Sequence, residues 1–311
     1  MALYGLQVFI NLSSLRKACC ALSTSSKRTR PTWQLPPGIS RGTWDYLHSP
    51  SIADDYDSYF SDHPLLKLDI ELVRRFLPQG LPQRSPQEKL PPAANSAGEP
   101  YTIADFGCGT ARVARAFGPL GYRMLNVDLS KHMLLQALQH ANAGKSEAAG
   151  GQPSGCVQAN LVQLDWLRDE VLDMAVCLFS SIGMIRGRQH RQKFLANVCR
   201  SLKRNAPLIL HVHNRLRSLF DPNGPAWLLK TRLSSWTNRD WEYGDRVYAY
   251  RGLPAMFLHI YSRRELVADL TAAGFNELQI LPINSTASDL LPPTTRFSVL
   301  RAGGYFAIAR G

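Results

Sequence analysis

From Tyr101 onward the chain alternates between short apolar runs and longer amphipathic stretches. The runs TIADFG, YRMLNVD, GCVQAN, LDMAVCLF and APLILHVH are rich in apolar residues, and all but LDMAVCLF end in a polar residue or glycine. That pattern predicts strands buried on both faces. Helical spacing begins near Ala111, Ser130 and Arg188, between the runs. Strands separated by helices predict parallel pairing through crossovers, hence a doubly wound α/β sheet. A helix opened by a Ser262–Glu265 capping pattern and stopped at Gly274 precedes two last strands, FNELQILPI and GGYFAIAR. They bring the expected sheet to seven mostly parallel strands.

Two segments break this rhythm. Residues 215–261 carry Trp227, Trp236, Trp241, Tyr243, Tyr248 and Tyr250, and DWEYGDRVYAYRG alternates as a hairpin would. This is an aromatic-rich insertion after the fifth strand, expected to form a wall or lid on the substrate side of a pocket, with a dimerisation flap as the other reading. Ahead of the sheet, 45–77 has an acidic and aromatic front and then a helix with Leu65, Leu68, Leu72 and Phe76 on one face. It is expected to form a helical cap. Residues 78–100 hold six prolines and no period, which predicts a linker to a domain spanning 101–311.

Composition narrows the class. No apolar run reaches the ~18 residues of a membrane span, so no membrane partner is expected. The six cysteines show no CxxC pair and no metal-ligand rhythm, which favours a reducing compartment and predicts no metal site. Residues 1–44 contain six basic residues and no acid, and so supply half of the net charge of +12. The remainder is only mildly basic for its length, which does not call for a polyanion-binding surface. The first thirty residues are Ser-rich, basic and free of acids. That is the composition of a mitochondrial presequence, and equally of a disordered tail. A cytoplasmic protein is expected, with the mitochondrial matrix as the alternative.

The chemistry concentrates in YTIADFGCGTARVARAFG. A strand that runs through Gly107, Cys108 and Gly109 into a helix is a ligand cradle: glycine admits close backbone approach, and the helix start offers free amides. A dinucleotide fingerprint would need a small residue where Arg112 stands, and no Gly-Lys-Ser/Thr of a P-loop follows.

In its order of motifs the chain resembles the class I S-adenosylmethionine-dependent methyltransferases. DFGCGTA stands where that family has acid-x-Gly-x-Gly-x-Gly, with Ala111 in the place of the last glycine. LNVDLS supplies the acid that closes the second strand, DLSKHML follows it, and Asn160 stands where the third strand usually ends in Asp. LDMAVCLFSSIGMI, with its leading Asp173, resembles the fourth strand. The resemblance covers roughly 100–214 and 262–311 and implies S-adenosylmethionine as cofactor. It implies that Asp105 orients the loop and helps to hold the cofactor's amino group, with Gly107, Cys108 and Gly109 beside the methionine part. Asp128 and Leu129 would meet the ribose, and Met133, Asn160 and Leu161 the adenine. Asn can still accept a hydrogen bond through its carbonyl oxygen.

Methyl transfer from a sulfonium asks mainly for proximity, and for a base only where the acceptor must lose a proton. His211 and His213 share one face at the end of the fifth strand and are the candidates for a catalytic role; a satisfied structural pair is the other reading. An unperturbed histidine base would lose activity as pH falls below about 6.5. Tyr56 and Tyr59 lie in a segment that in this family often covers the cofactor. The expected acceptor is a small molecule or another non-nucleic compound. RNA is the alternative partner, through IRGRQHRQK at 185–193, and a non-catalytic cofactor-binding module is the alternative function.

Overall fold

The computed structural model describes residues 7–8, 34–78, 95, 98–143 and 155–311, so most of the expected tail and linker lie outside the described residues. Four helices come first: α1 (Arg41–Leu47), α2 (Pro50–Asp54), α3 (Tyr56–Tyr59) and α4 (Pro64–Arg75). Ser40 caps α1 by accepting from the Thr43 amide, and Pro64 opens α4, where a missing N–H costs nothing. Leu65, Leu68 and Leu72 of α4 are buried, as their spacing predicts.

The sheet strands are β2 (Thr102–Phe106), β3 (Arg123–Asp128), β4 (Gly155–Gln158), β5 (Met174–Cys177), β6 (Leu208–His213), β9 (Glu277–Ile283) and β10 (Gly304–Arg310). Their spatial order is β4-β3-β2-β5-β6-β10-β9, and a two-residue strand β1 (Gln7–Val8) pairs antiparallel with β4. The first five run parallel, while β10 is antiparallel to both β6 and β9. Between β2 and β5 the order of chain progress reverses. The crevice outside the carboxyl ends at such a switch point is where open α/β sheets bind ligands.

Alternate residues of each strand feed two cores. Ile103, Met174, Val176 and Ile209 face α4, α5 (Arg112–Phe117) and α6 (Lys131–Ala143). Ala104, Phe106, Ala175, Cys177 and Leu210 face α7 (Arg188–Ser201) and α9 (Arg263–Ala272). Burial on both faces is why these strands read as apolar runs without alternation. Asp173 sits at the opposite edge of the sheet from the glycine loop's crevice. It accepts from the Thr102 amide at 2.9 Å and from Lys203 Nζ at 2.9 Å, and so locks two strand starts.

The insertion forms a 3-10 turn (Arg215–Phe220), helix α8 (Gly224–Thr237) and an antiparallel hairpin of β7 (Asp245–Tyr250) and β8 (Leu253–His259). The hairpin turn places Arg251 and Gly252 at φ 46° and 82°, the left-handed pair that tight hairpins prefer. Helix α8 has no single apolar stripe, because Leu228 points inward while Leu229, Leu233 and Trp236 point out. Its periodicity is therefore illegible in the sequence. α1 packs so tightly on β8 that a Cβ at Gly42 would stand 1.6 Å from the Ala255 carbonyl oxygen.

A buried ionic network ties the insertion to the sheet helices. Arg191 of α7 is fully buried and donates to Glu242 at 2.6 Å. His259 meets Asp245 at 2.7 Å through Nδ1 and Glu265 of α9 at 2.9 Å through Nε2, and Arg215 also pairs with Glu265. Burial raises the Glu265 carboxyl, but His259, Arg215 and Arg191 outweigh it and hold the group down at about 2. Glu242, His259 and Glu265 converge closely enough to hold a cation, yet Arg191 and Arg215 already supply their positive charge. Arg188 is likewise paired, with Asp269 at 2.6 Å. The basic run at 185–193 thus buries Arg191 and pairs the exposed Arg188 with an acid.

Candidate active site

At the end of β2 the backbone enters a left-handed turn, with Gly107 at φ 74° and Gly109 at φ 55°. A Cβ at Gly107 would stand 2.7 Å from that of Ser181, so both conformation and space require glycine there. The amides of Gly107 and Cys108 both point to the Val127 carbonyl, at 2.7 and 3.2 Å. Ala111 adopts φ 59° and so takes the conformation of the glycine it replaces, at a strain of about 1–2 kcal/mol. Arg112 turns away to Asp69 at 2.7 Å and the Leu66 carbonyl at 2.9 Å, which binds the loop's helix to α4.

Asp128 closes β3 beside this loop. Its Oδ2 accepts from the Gly109 amide at 2.9 Å, and its Oδ1 from the Ser130 amide at 2.8 Å. Burial raises this carboxyl, while the amides of Ser130, Gly109 and Leu129 work against that rise. Each carboxylate oxygen keeps a second lone pair for a ligand hydroxyl. Asp105 lies beneath the loop rather than on the cavity wall. Burial pushes it up to about 7, Arg112 opposing the rise and Asp128 and Asp69 adding to it.

A cavity of about 310 Å³ opens over the loop, within the range of small-molecule sites. Of the residues singled out in the sequence, Gly107, Gly109, Asp128, Leu129, Met133, Asn160, Leu161 and His213 line it. Asp105, Cys108 and His211 do not. Burial pushes the Cys108 thiol well up, which leaves it inert. Asn160 donates to the Pro37 carbonyl at 2.9 Å and accepts from the Val162 amide at 3.0 Å, so it also anchors the segment leading into the cap.

The histidines divide. His211 is buried behind the cavity, its ring 5.2 Å from that of His213 and 5.3 Å from Phe306. Of the pair, His213 reaches the cavity, where burial pushes it down to about 4, with His63, which also lines the cavity, adding to the shift. The acid limb near 6.5 expected for an unperturbed base is therefore corrected downward. His213 is a neutral imidazole at physiological pH.

Of the roof, sequence reasoning pointed to the insertion and to the Tyr56 segment but did not single out Tyr46. Tyr46 of α1 and Tyr248 and Tyr250 of β7 line the cavity from above, and Arg251 ties the hairpin to the cap through Asp55. Tyr56 lines it too, while Tyr59 stacks edge-on to Tyr250 at the outer surface. Phe60 and Phe179 meet edge to face at 5.0 Å across one end. Phe179 and Ser180 both have positive φ, at 53° and 63°, a strained pair at the end of β5. Neither Phe179 nor Ser180 is the glycine or asparagine that would signal that turn.

The methyltransferase-domain family model matches residues 104–210, which run from the glycine strand through β6. The protein carries a class I S-adenosylmethionine-dependent methyltransferase domain.

Solved methyltransferases share its fold. The CcbJ methyltransferase of Streptomyces caelestis superposes with a TM-score of 0.55 at 15% identity, over 84% of this chain and 96% of that one. A methyltransferase from Methanosarcina mazei gives 0.51 at 19% identity, over 67% and 91%. A third, a possible histamine N-methyltransferase from Thermotoga maritima, gives 0.50 at 16% identity, over 84% and 96%. At such identities the likeness is one of fold. No curated protein matches the chain.

The methyltransferase cofactor, S-adenosylmethionine, fits the residues present. The glycine turn is open on the cavity side, where the nearest atom to a Cβ at Gly109 would be Tyr56 Cε1 at 3.9 Å. Asp128 offers a buried carboxylate of the kind that binds paired hydroxyls. A larger, open depression of about 570 Å³ lies on the α4–α5 face, but Arg112 and Arg115 there are engaged with Asp69 and Asp57.

Proposed function

We propose that this methyltransferase acts on a small-molecule acceptor seated between the glycine loop and the β7–β8 hairpin. One observation carries the reading: the cavity is roofed by the cap and the hairpin, which Arg251 and Asp55 join. A polynucleotide would need an open groove. S-adenosylmethionine supplies a methyl group on a sulfonium, which makes the leaving group good. The protein's part is then to hold the reactants in line and keep water out. Asp128 would hold the ribose, the Gly107–Gly109 backbone the methionine part, and Met133 and Leu161 the adenine, with the second lone pair of Asn160 Oδ1 free for its amino group. Asp105 would act through the loop.

The acceptor has a second space to occupy. A chamber of about 350 Å³ adjoins the cavity through His213, Tyr248 and Leu258 and is lined further out by Arg217 and Arg246. Neutral His213 at this junction would position the acceptor by a hydrogen bond, or take its proton. Buried free thiols at Cys108, Cys156 and Cys177 support a reducing compartment, the cytoplasm or the mitochondrial matrix. No helix among the described residues is long and apolar enough to cross a membrane.

Incubation with methyl-labelled S-adenosylmethionine and separate metabolite, RNA and protein fractions of a cell extract tests the reading. Label in the metabolite fraction supports it. Label confined to RNA or to protein overturns it.

A further inference from the structure

Eleven large apolar side chains are exposed among the described residues, and eight of them lie on the 3-10 turn, helix α8 and the short helix α10 (Ser298–Arg301) with its N-cap. These three elements adjoin. A Cβ at Gly224, the first residue of α8, would stand 1.6 Å from the Ser218 carbonyl oxygen of the turn, and Asn214 at the turn's start donates to the Val299 carbonyl of α10 at 2.7 Å. Along α8, Leu229, Leu233 and Trp236 fall at positions i, i+4 and i+7 and are 62%, 48% and 69% exposed. Phe220 of the turn is 62% exposed and Phe297 beside α10 is 78% exposed. A contiguous apolar face of this kind on a soluble domain marks an interaction site.

Charge identifies the occupant. Residues 216–239 and 296–301 carry six cations, Arg217, Lys230, Arg232, Arg239, Arg296 and Arg301, against the single acid Asp221. Arginine caps the exposed rings themselves: Arg217 lies 5.4 Å from the Phe220 centroid and Arg232 lies 5.1 Å from that of Trp236. On the exposed side of these elements, Leu, Phe and Trp beside Lys and Arg with almost no acid is a composition that suits contact with an anionic bilayer. A second copy of the chain fits poorly, since a two-fold interface would press like charges together.

We propose that α8, the 3-10 turn and α10 form a docking surface for an anionic phospholipid membrane. Leu229, Leu233, Trp236 and Phe220 enter the headgroup boundary while Lys230, Arg232 and Arg239 meet the lipid phosphates. Arg217 and Ser218 of the same turn line the outer chamber, so docking sets that chamber beside the bilayer. The expectation of no membrane partner rested on the lack of a spanning run, which peripheral attachment does not require.

Flotation of the full chain with vesicles of pure phosphatidylcholine, and of an equimolar mixture with phosphatidylserine, tests this. The protein should float with the mixed vesicles, release in high salt, and ignore the neutral ones. The exposed triple variant Leu229→Gln, Leu233→Gln, Trp236→Gln should lose partitioning by about tenfold or more. The charge variant Lys230→Glu, Arg239→Glu should lose it comparably, and both should keep the melting temperature and cofactor affinity of the parent. Failure to float with mixed vesicles overturns the proposal. So does floating of either variant like the parent, which would assign attachment to the basic tail. A parent dimer that the triple variant dissolves, with no vesicle binding, gives the surface to a second copy and overturns it too.

Discussion

The carboxylate of Asp128 at the end of β3 accepts the backbone N–H of Gly109, at 2.9 Å, in the loop that follows β2. One acid therefore serves two purposes: it fixes the glycine turn and presents its remaining lone pairs to the cavity. Asp128→Ala should lower S-adenosylmethionine affinity by at least about tenfold, since a hydrogen bond to a charged group is worth ~1.5–3 kcal/mol. Asp128→Asn keeps one acceptor oxygen and should lose less. Titration calorimetry and thermal melting of both variants separate the two purposes. Equal affinity for both variants and the parent would mean that the ribose lies elsewhere.

Asp105 links stability to cofactor binding. Its carboxyl rises to about 7 in the fold, from an ordinary value near 3.8. A raised pKa means that the folded state binds more protons, so the stability it contributes is present below about 3.8 and is lost as pH climbs through about 7. Asp105→Asn should therefore raise the melting temperature of the cofactor-free protein above neutral pH and leave it nearly unchanged in acid. The cationic cofactor benefits from the ionised form. Affinity of the parent for S-adenosylmethionine should tighten as pH rises through about 7, and the Asn variant should show a flatter profile. A profile unchanged by the substitution would count against a role for this carboxylate.

His213 should stay neutral well below the ordinary histidine range, because burial holds it near 4. Turnover should stay level as pH falls to about 5, with its acid limb near 4. His213→Asn should lower turnover by ~10²-fold if the imidazole takes a proton, whereas His211→Asn, behind the cavity wall, should act mainly on stability. An acid limb near 6.5 that vanishes in His213→Asn would show a histidine less buried than this one.

The Arg191 network carries stability rather than chemistry. Arg191→Met leaves Glu242 without its buried cation, while Arg215 and His259 still hold Glu265, and breaking such a buried pair costs ~3–5 kcal/mol. Chemical denaturation should show a loss of that order. A loss below about 1 kcal/mol would place the network in the class of solvated surface pairs.

Most of the sheet was legible because strands buried on both faces leave unbroken apolar runs: each of the seven runs contains an observed strand. Helix starts expected near Ala111, Ser130 and Arg188 fall within a residue of those observed. The Ser262–Glu265 capping box forms with both of its hydrogen bonds. The cofactor side of the site was equally open to reading, because glycine turns and strand-end acids leave marks at fixed spacing. The roof left none. Tyr46, Tyr248 and Tyr250 come together only through the docking of α1 on β8, a contact between residues some two hundred positions apart. Helix α8 hid because it is apolar on both its inner and its outer side. The functional split between His211 and His213 depends on depth behind the cavity wall, which strand alternation does not encode.

The central claim is that the cavity bounded by Gly107, Gly109 and Asp128 binds S-adenosylmethionine. Isothermal titration of the full chain with S-adenosylmethionine, S-adenosylhomocysteine and NAD tests it most directly. The expected result is saturable one-site heat with the first two compounds and none with NAD. Heat with NAD and none with either adenosyl compound would contradict the claim.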